Sequence, residues 1–216
     1  MANLDEIRQM TIDGAIAGIA AKVQEALDQG VAAETILNEG LVSGMDHVGS
    51  MFEAGEYFVP EMLIAARTMD NALSVLKPHL IKEGAEFIGT VAIGTVKGDL
   101  HDIGKRLVAM MLEGAGFQII DLGVDVKPEL FVEEVRNGAT LVAVSALLTT
   151  TMTNMGDVAK ALEEAGLRQN ARFIVGGAPV TEEYAESIGA DGYADTAIAA
   201  VRVARDLVGA RRHDPV

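Results

Sequence analysis

The 216-residue chain has no cysteine. That absence removes disulfides, thiolate zinc sites, iron–sulfur clusters and cysteine nucleophiles together. Histidine is scarce as well: the four are His47, His79, His101 and His213, so a metal site built from several imidazoles is not expected. A net charge of −15 leaves too little basic surface for nucleic acid or an anionic membrane as a partner. No apolar run reaches the roughly 18 residues needed to span a bilayer, and the first residues lack the basic-then-apolar profile of a signal peptide. A cytoplasmic protein is the expectation. Half of the residues are apolar, enough for a substantial core in one large domain or two small ones.

What is present changes period along the chain. Residues 1 to about 86 read as helices alone, a four-helix bundle. A short leading helix is predicted at residues 3 to 9. Ile12, Ile16, Ile19, Val23 and Leu27 then recur at three- and four-residue steps up to Gly30. Ile36, Leu41, Met45, Val48 and Phe52 continue the pattern to Gly55, and a further stripe from Leu63 to Leu76 runs between Pro60 and Pro78. Gly14, Gly18, Gly40 and Gly44 fall inside these predicted helices, which suggests close approach of another helix or of a ligand. The turn from Phe52 to Pro60 is aromatic-rich in a chain with six Phe and three Tyr. On residue type alone its aromatics belong in a core.

After a polar connection at Lys82 to Glu86, short apolar runs alternate with helical stretches. Predicted strands at residues 88–96, 117–122, 141–146, 173–175 and 192–194 are each followed by a helix, at 103–115, 128–137, 152–165, 182–188 and 197–208. Five such units imply an α/β domain from about 87 to 216: a doubly wound, flavodoxin-like (Rossmann-like) parallel five-stranded sheet in the order 2-1-3-4-5. Its ligand crevice would lie at the carboxyl end of strand 1, where the order reverses.

The loop at that position is Gly94-Thr-Val-Lys-Gly98-Asp99-Leu-His101-Asp102-Ile103-Gly104-Lys105. A histidine beside aspartates at a helix start is ordinarily a capping cluster. A histidine that ligates a metal, in turn, usually gives its second ring N–H to a carboxylate, and either Asp99 or Asp102 could take it. In the predicted order, the loops after strands 3 and 4 share the same wall, bringing Ser145 to Thr151 and Gly176-Gly177 beside His101. The glycines do not form Gly-x-Gly-x-x-Gly, and no Lys-Ser/Thr pair ends the loop as in a P-loop. A receiver domain would want an acidic cluster after strand 1 and a phosphoacceptor Asp after strand 3, where Ser145 to Thr151 contains no carboxylate.

Asp99-x-His101-x-x-Gly104, then Ser145-x-Leu147, then Gly176-Gly177, at these spacings, resembles the cobalamin-binding domains of corrinoid methyltransferases and mutases. The helical half is similar to the cap module of methionine synthase and the small corrinoid proteins, through Val48-Gly49-x-x-Phe52, Phe58-Val59-Pro60-Glu61 and Ala65-Ala66-Arg67. The resemblance runs from about residue 10 to about 205. It implies cobalamin as cofactor, used as methylcobalamin and cob(I)alamin, with His101 as the lower axial cobalt ligand. Asp99 would orient the imidazole, and Thr151, where the family has Ser, would complete the relay. Gly98, Asp102, Ile103, Gly104, Ser145, Leu147, Thr149, Gly176 and Gly177 would line the site and the channel for the nucleotide tail. Phe52 and Val59 would shield the upper face, which reassigns the aromatic turn from core to cofactor.

The implied role is the corrinoid subunit of a methyltransferase system. One substrate-specific methyltransferase would load the cobalt and a second would unload it to tetrahydrofolate or a thiol, with a reductive activator as a further partner. Methanol, methylamines, glycine betaine and aromatic methyl ethers are all donors of such systems. A cobalamin-dependent sensor and a mutase subunit are the alternatives. The first is disfavoured by the lack of a basic DNA-binding domain, the second by the helical cap.

Overall fold

The computed structural model describes residues 4–83 and 87–211. The centre of the connection predicted at Lys82 to Glu86, and His213, lie outside them. Contacts divide the chain into two units: Met1–Phe87 with Gly114–Gly116, and Ile88–Glu113 with Phe117–Val216.

The first unit is helical, as its 3.6-residue period requires. It comprises α1 (Leu4–Ile12), α2 (Ile16–Asp28), α3 (Ala33–Thr35) continued by a π-helical segment (Ile36–Val42), α4 (Ser43–Glu53) and α5 (Val59–Glu83). Its core is aliphatic and thioether: Ile7, Ile19, Val23, Ile36, Leu41, Met62, Met69 and Leu76 are all buried. The predicted boundaries need three corrections. Ile12 ends α1 instead of opening the next helix, because Gly14 takes a left-handed turn at φ 66°. Gly18, at φ 95°, likewise sits in a non-helical first turn of α2 and not inside a regular helix. Pro78 does not stop α5, which continues to Glu83. The N–H that proline lacks would have met the carbonyl of Ser74, and both residues lie on the exposed face, where water can take that carbonyl. Gly40 and Gly44 behave as expected of close helix approach. A Cβ on Gly40 would stand 3.0 Å from Ile7, and one on Gly44 2.8 Å from Thr11.

The helix α5 begins with one half of a capping box: the Phe58 N–H donates to Glu61 Oε2 at 2.9 Å. The aromatic turn before it is not core. Phe52 and Tyr57 are half-buried, while Phe58 is 64% exposed and Val59 is exposed too.

The second unit alternates strand and helix: β1 (Thr90–Thr95), α6 (Ile103–Gly114), β2 (Gln118–Asp121), α7 (Pro128–Arg136), β3 (Leu141–Ser145), α8 (Thr149–Met152), α9 (Met155–Glu164), β4 (Arg172–Gly176), α10 (Glu182–Ser187), β5 (Gly192–Ala194) and α11 (Ala197–Arg211). The five strands are parallel in the order β2-β1-β3-β4-β5, as the sequence predicts. The single helix predicted at 152–165 is instead two, α8 and α9. Valine, leucine and phenylalanine side chains of β3, β4, α7 and α9 make the core on one face, with Phe131, Val142, Val144, Leu162 and Phe173 fully or nearly buried. Register sets up the site. Thr95 pairs with Ser145 and Ser145 with Gly176, so the loops leaving β1, β3 and β4 start level with one another.

Candidate functional site

At the carboxyl end of β1 the chain buries a charge. Asp99 has no solvent exposure, and its carboxylate faces four donors. Oδ1 accepts from the backbone N–H of His101 at 3.0 Å and lies 2.7 Å from His101 Nδ1. Oδ2 accepts from the backbone N–H of Leu147 at 2.8 Å and the Thr151 hydroxyl at 2.7 Å. Burial by itself would raise the carboxyl pKa. The hydrogen bonds from Leu147, Thr151 and His101 outweigh it and hold Asp99 well below the ordinary carboxylate range. An ionised Asp99 can only accept, so Nδ1 carries a proton, and in a neutral ring that tautomer leaves the lone pair on Nε2. The His101 side chain is 51% exposed.

The loop is held along its length. The Thr95 hydroxyl donates to the His101 carbonyl at 2.9 Å, and the Asn154 amide to the Lys97 carbonyl at 2.7 Å. This last bond sits in the break between α8 and α9 and gives that break a purpose: it ties the turn that carries Thr151 to the turn that carries Asp99. Asp102 is not the orienting carboxylate. It immediately precedes α6 and pairs with Arg106 Nε at 2.6 Å.

Around His101 the surface is apolar where a soluble loop would be polar. Leu100 is 72% and Ile103 86% exposed, and Leu147 and Leu148 are each more than two-fifths exposed. A Cβ added at Gly104 would meet nothing within 4 Å. Gly98 and Thr149 are exposed, and Ser145 is half-buried at the end of β3. Gly176 and Gly177 have a reason of their own to be glycine. A Cβ at Gly176 would lie 2.6 Å from the Ala194 carbonyl oxygen; at Gly177, where φ is 131°, it would collide with that of Ala146. Phe52 and Val59 belong to the helical unit. Sequence reasoning passed over Thr95, Leu100, Leu148 and Asn154. A run of leucines next to a candidate ligand in a loop was the available signal for two of them.

Among the described residues no group of three or more His, Asp or Glu could hold a metal ion. One free imidazole nitrogen in an apolar collar therefore does not suit a bare ion, which needs several protein donors. It suits a metal whose other positions are already filled by a large, flat organic ligand. The fold and site thus define a class: a parallel α/β protein that offers one imidazole, oriented by a buried carboxylate, at the carboxyl end of its sheet.

The comparisons name that class. A B12 binding domain matches residues 89–202, and a second family described in the same words matches residues 4–77. A corrinoid protein of Desulfitobacterium hafniense is 39% identical over 213 residues, 97% of this chain and 99% of that protein. Trimethylamine corrinoid protein 1 of Methanosarcina acetivorans is 44% identical over 194 residues, 88% of this chain and 90% of the other. Among solved structures, the methanol:cobalamin methyltransferase complex of Methanosarcina barkeri superposes with a TM-score of 0.83 at 27% identity, covering 94% of this chain and 78% of that one. The chain belongs to the family of B12-binding corrinoid proteins of methyltransferase systems, and its cofactor is a cobalamin.

Proposed function

We propose that this protein carries a methyl group on cobalt between two methyltransferases, and that His101 is the protein's ligand to that cobalt. The observation that supports the ligand role is the Asp99–His101 pair: a buried, ionised carboxylate fixes the imidazole tautomer and leaves Nε2 free in an apolar collar. When bound, the corrin cobalt supplies a strong nucleophile that accepts a methyl group from one donor and yields it to another acceptor.

The chain's own residues hold and tune. Asp99 keeps the proton on Nδ1, and Thr151 and the Leu147 N–H keep Asp99 ionised and in place. Leu100, Ile103, Leu147 and Leu148 present apolar surface to a flat ligand and exclude water from its edge. Gly98, Asp102 and Gly104 line the histidine side. Ser145, Thr149, Gly176 and Gly177 are the proposed wall for the nucleotide tail. The protein acts only with partners: a donor-side methyltransferase, a second one on the acceptor side, and a reductive activator. The subunit's own share of catalysis is the set of residues that grip the cofactor, in the cytoplasm.

The test is to load the protein with hydroxocobalamin, reduce it with titanium(III), and add each candidate donor with its methyltransferase while following the absorption spectrum. The relatives make methylamines and methanol the first donors to try, ahead of betaine and the methyl ethers of O-demethylase systems. Conversion of the reduced spectrum by one donor pair supports the carrier reading. Tight cobalamin binding with no conversion by any pair would transfer it to a sensor or mutase subunit.

A further inference from the structure

Among the described residues, Asp125 is the only non-glycine residue at positive φ, at 53°. It lies in the loop between β2 and α7, beside the end of β1, where the Val126 N–H donates to the Thr95 carbonyl at 3.0 Å. Glycine would adopt this backbone without steric penalty, and Gly123 does so two residues earlier. What aspartate adds is its side chain. Oδ1 accepts from the Gly98 N–H at 2.7 Å, while the Asp125 N–H donates to the Asp99 carbonyl at 3.0 Å. The Asp99 N–H, for its part, donates to the Val96 carbonyl at 3.1 Å. Asp125 therefore grips both sides of the Gly98–Asp99 unit, with a charge-assisted bond on one side.

We infer that Asp125 is a positioning residue for the axial histidine. It fixes the backbone from which the Asp99 carboxylate reaches Leu147, Thr151 and His101 Nδ1, and through Asp99 it sets the direction of Nε2. The inference rests on the proposed ligation of cobalt by His101. Aspartate tolerates the left-handed region better than most residues, so the site keeps its clamp without an unfavourable backbone.

Three substitutions separate backbone from side chain. Asp125→Gly keeps the conformation and loses the acceptor, Asp125→Ala loses both, and Asp125→Asn keeps both. Each protein is grown with 15N-histidine, loaded with cobalamin and reduced to the cobalt(II) state, and the ratio of imidazole-bound to imidazole-free cobalt is read from the 15N doublets in the electron paramagnetic resonance spectrum. The apoprotein's thermal unfolding is the control. Asp125→Gly is expected to unfold near the native temperature yet lower that ratio about tenfold, the scale of one charge-assisted hydrogen bond, with Asp125→Asn restoring most of it. A native ratio in a folded Asp125→Gly protein overturns the inference and leaves the ligand role of His101 standing. Nitrogen splitting in the unsubstituted protein that is unchanged by 15N-histidine labelling overturns both. Should Asp125→Gly fail to fold, amide exchange at Gly98 in the unsubstituted protein decides: at least tenfold protection is expected, and exchange at the free-peptide rate overturns the clamp.

Discussion

The two ends of the parallel sheet each bind an aspartate, and they use it differently. At the amino end, Asp191 accepts from the Phe173 N–H at 2.7 Å and from Arg168 at 3.0 Å, and lies 3.6 Å from an Arg172 nitrogen. Arg168 also donates to the Gly189 carbonyl at 2.6 Å and stacks 5.9 Å from the centre of the Phe173 ring. Cations close that carboxylate on itself. At the carboxyl end, Asp99 has no lysine or arginine partner among the described residues. Its four donors are two backbone amides, a hydroxyl and an imidazole, and the imidazole has a second nitrogen facing outward. Carboxylates in the same sheet thus serve stability at one end and leave a free ligand at the other. Ion pairing ends a network, whereas neutral donors pass it on.

Breaking the Asp99 carboxylate should be the largest effect, and setting it beside Asp191 tests the contrast. Asp99→Ala strands several buried donors and should lower unfolding free energy by about 3 kcal/mol, and Asp191→Ala, which leaves Arg168 without its counter-charge, by about 2 kcal/mol. Urea denaturation of the apoproteins measures both. Only Asp99→Ala should alter the spectrum of bound cobalamin; an altered spectrum in Asp191→Ala would erase the division of labour.

Glycines sharpen the same contrast. Gly177→Ala forces a Cβ into the Ala146 carbonyl at a φ unsuited to alanine, and should be destabilising by about 2–3 kcal/mol. Gly104→Ala, in open space in the first turn of α6, should leave the apoprotein unchanged or up to about 1 kcal/mol more stable. Its expected defect is in cobalamin affinity, measured by equilibrium titration. Smaller again is Thr151→Ala, which removes one hydrogen bond to Asp99 and should cost about 1 kcal/mol, while Thr151→Ser should stay near native.

The mildest expectation concerns pH. The folded-state pKa of Asp99 is depressed, so its contribution to stability is complete above the unfolded carboxyl value of about 4, and is lost as pH falls below that toward the depressed folded value. Denaturant midpoints between pH 6 and pH 3 should fall less steeply in Asp99→Asn than in the native protein. Equal slopes would mean that Asp99 is not held ionised by its donors.

Much of this was legible in the sequence, for reasons that differ between residues. The strand order followed from five short apolar runs separated by helical stretches. The nearness of the Ser145–Thr151 loop to His101 followed from placing their loops on neighbouring strands, and the Asp99–His101–Thr151 relay from the family resemblance. Helix ends were less legible, because Gly14, Gly18 and Pro78 act through local backbone geometry and solvent access. The π-helical segment at Ile36–Val42 leaves no mark in the apolar period. Thr95, Asn154 and Asp125 went unseen because each side chain acts by one hydrogen bond to a backbone group, 6, 57 and 27 residues away respectively. Side chains that bond to backbone have no spacing rule to betray them.

The central claim is that one nitrogen of His101 binds cobalt. It is tested most directly by growing the protein with 15N-histidine, loading it with cobalamin, reducing to cobalt(II), and recording the electron paramagnetic resonance spectrum of native and His101→Ala proteins. The account expects the nitrogen splitting to change from triplets to doublets on labelling, and the doublets to disappear with His101→Ala. Triplets that persist under 15N-histidine would mean that the axial nitrogen comes from the cofactor's own base, and would contradict it.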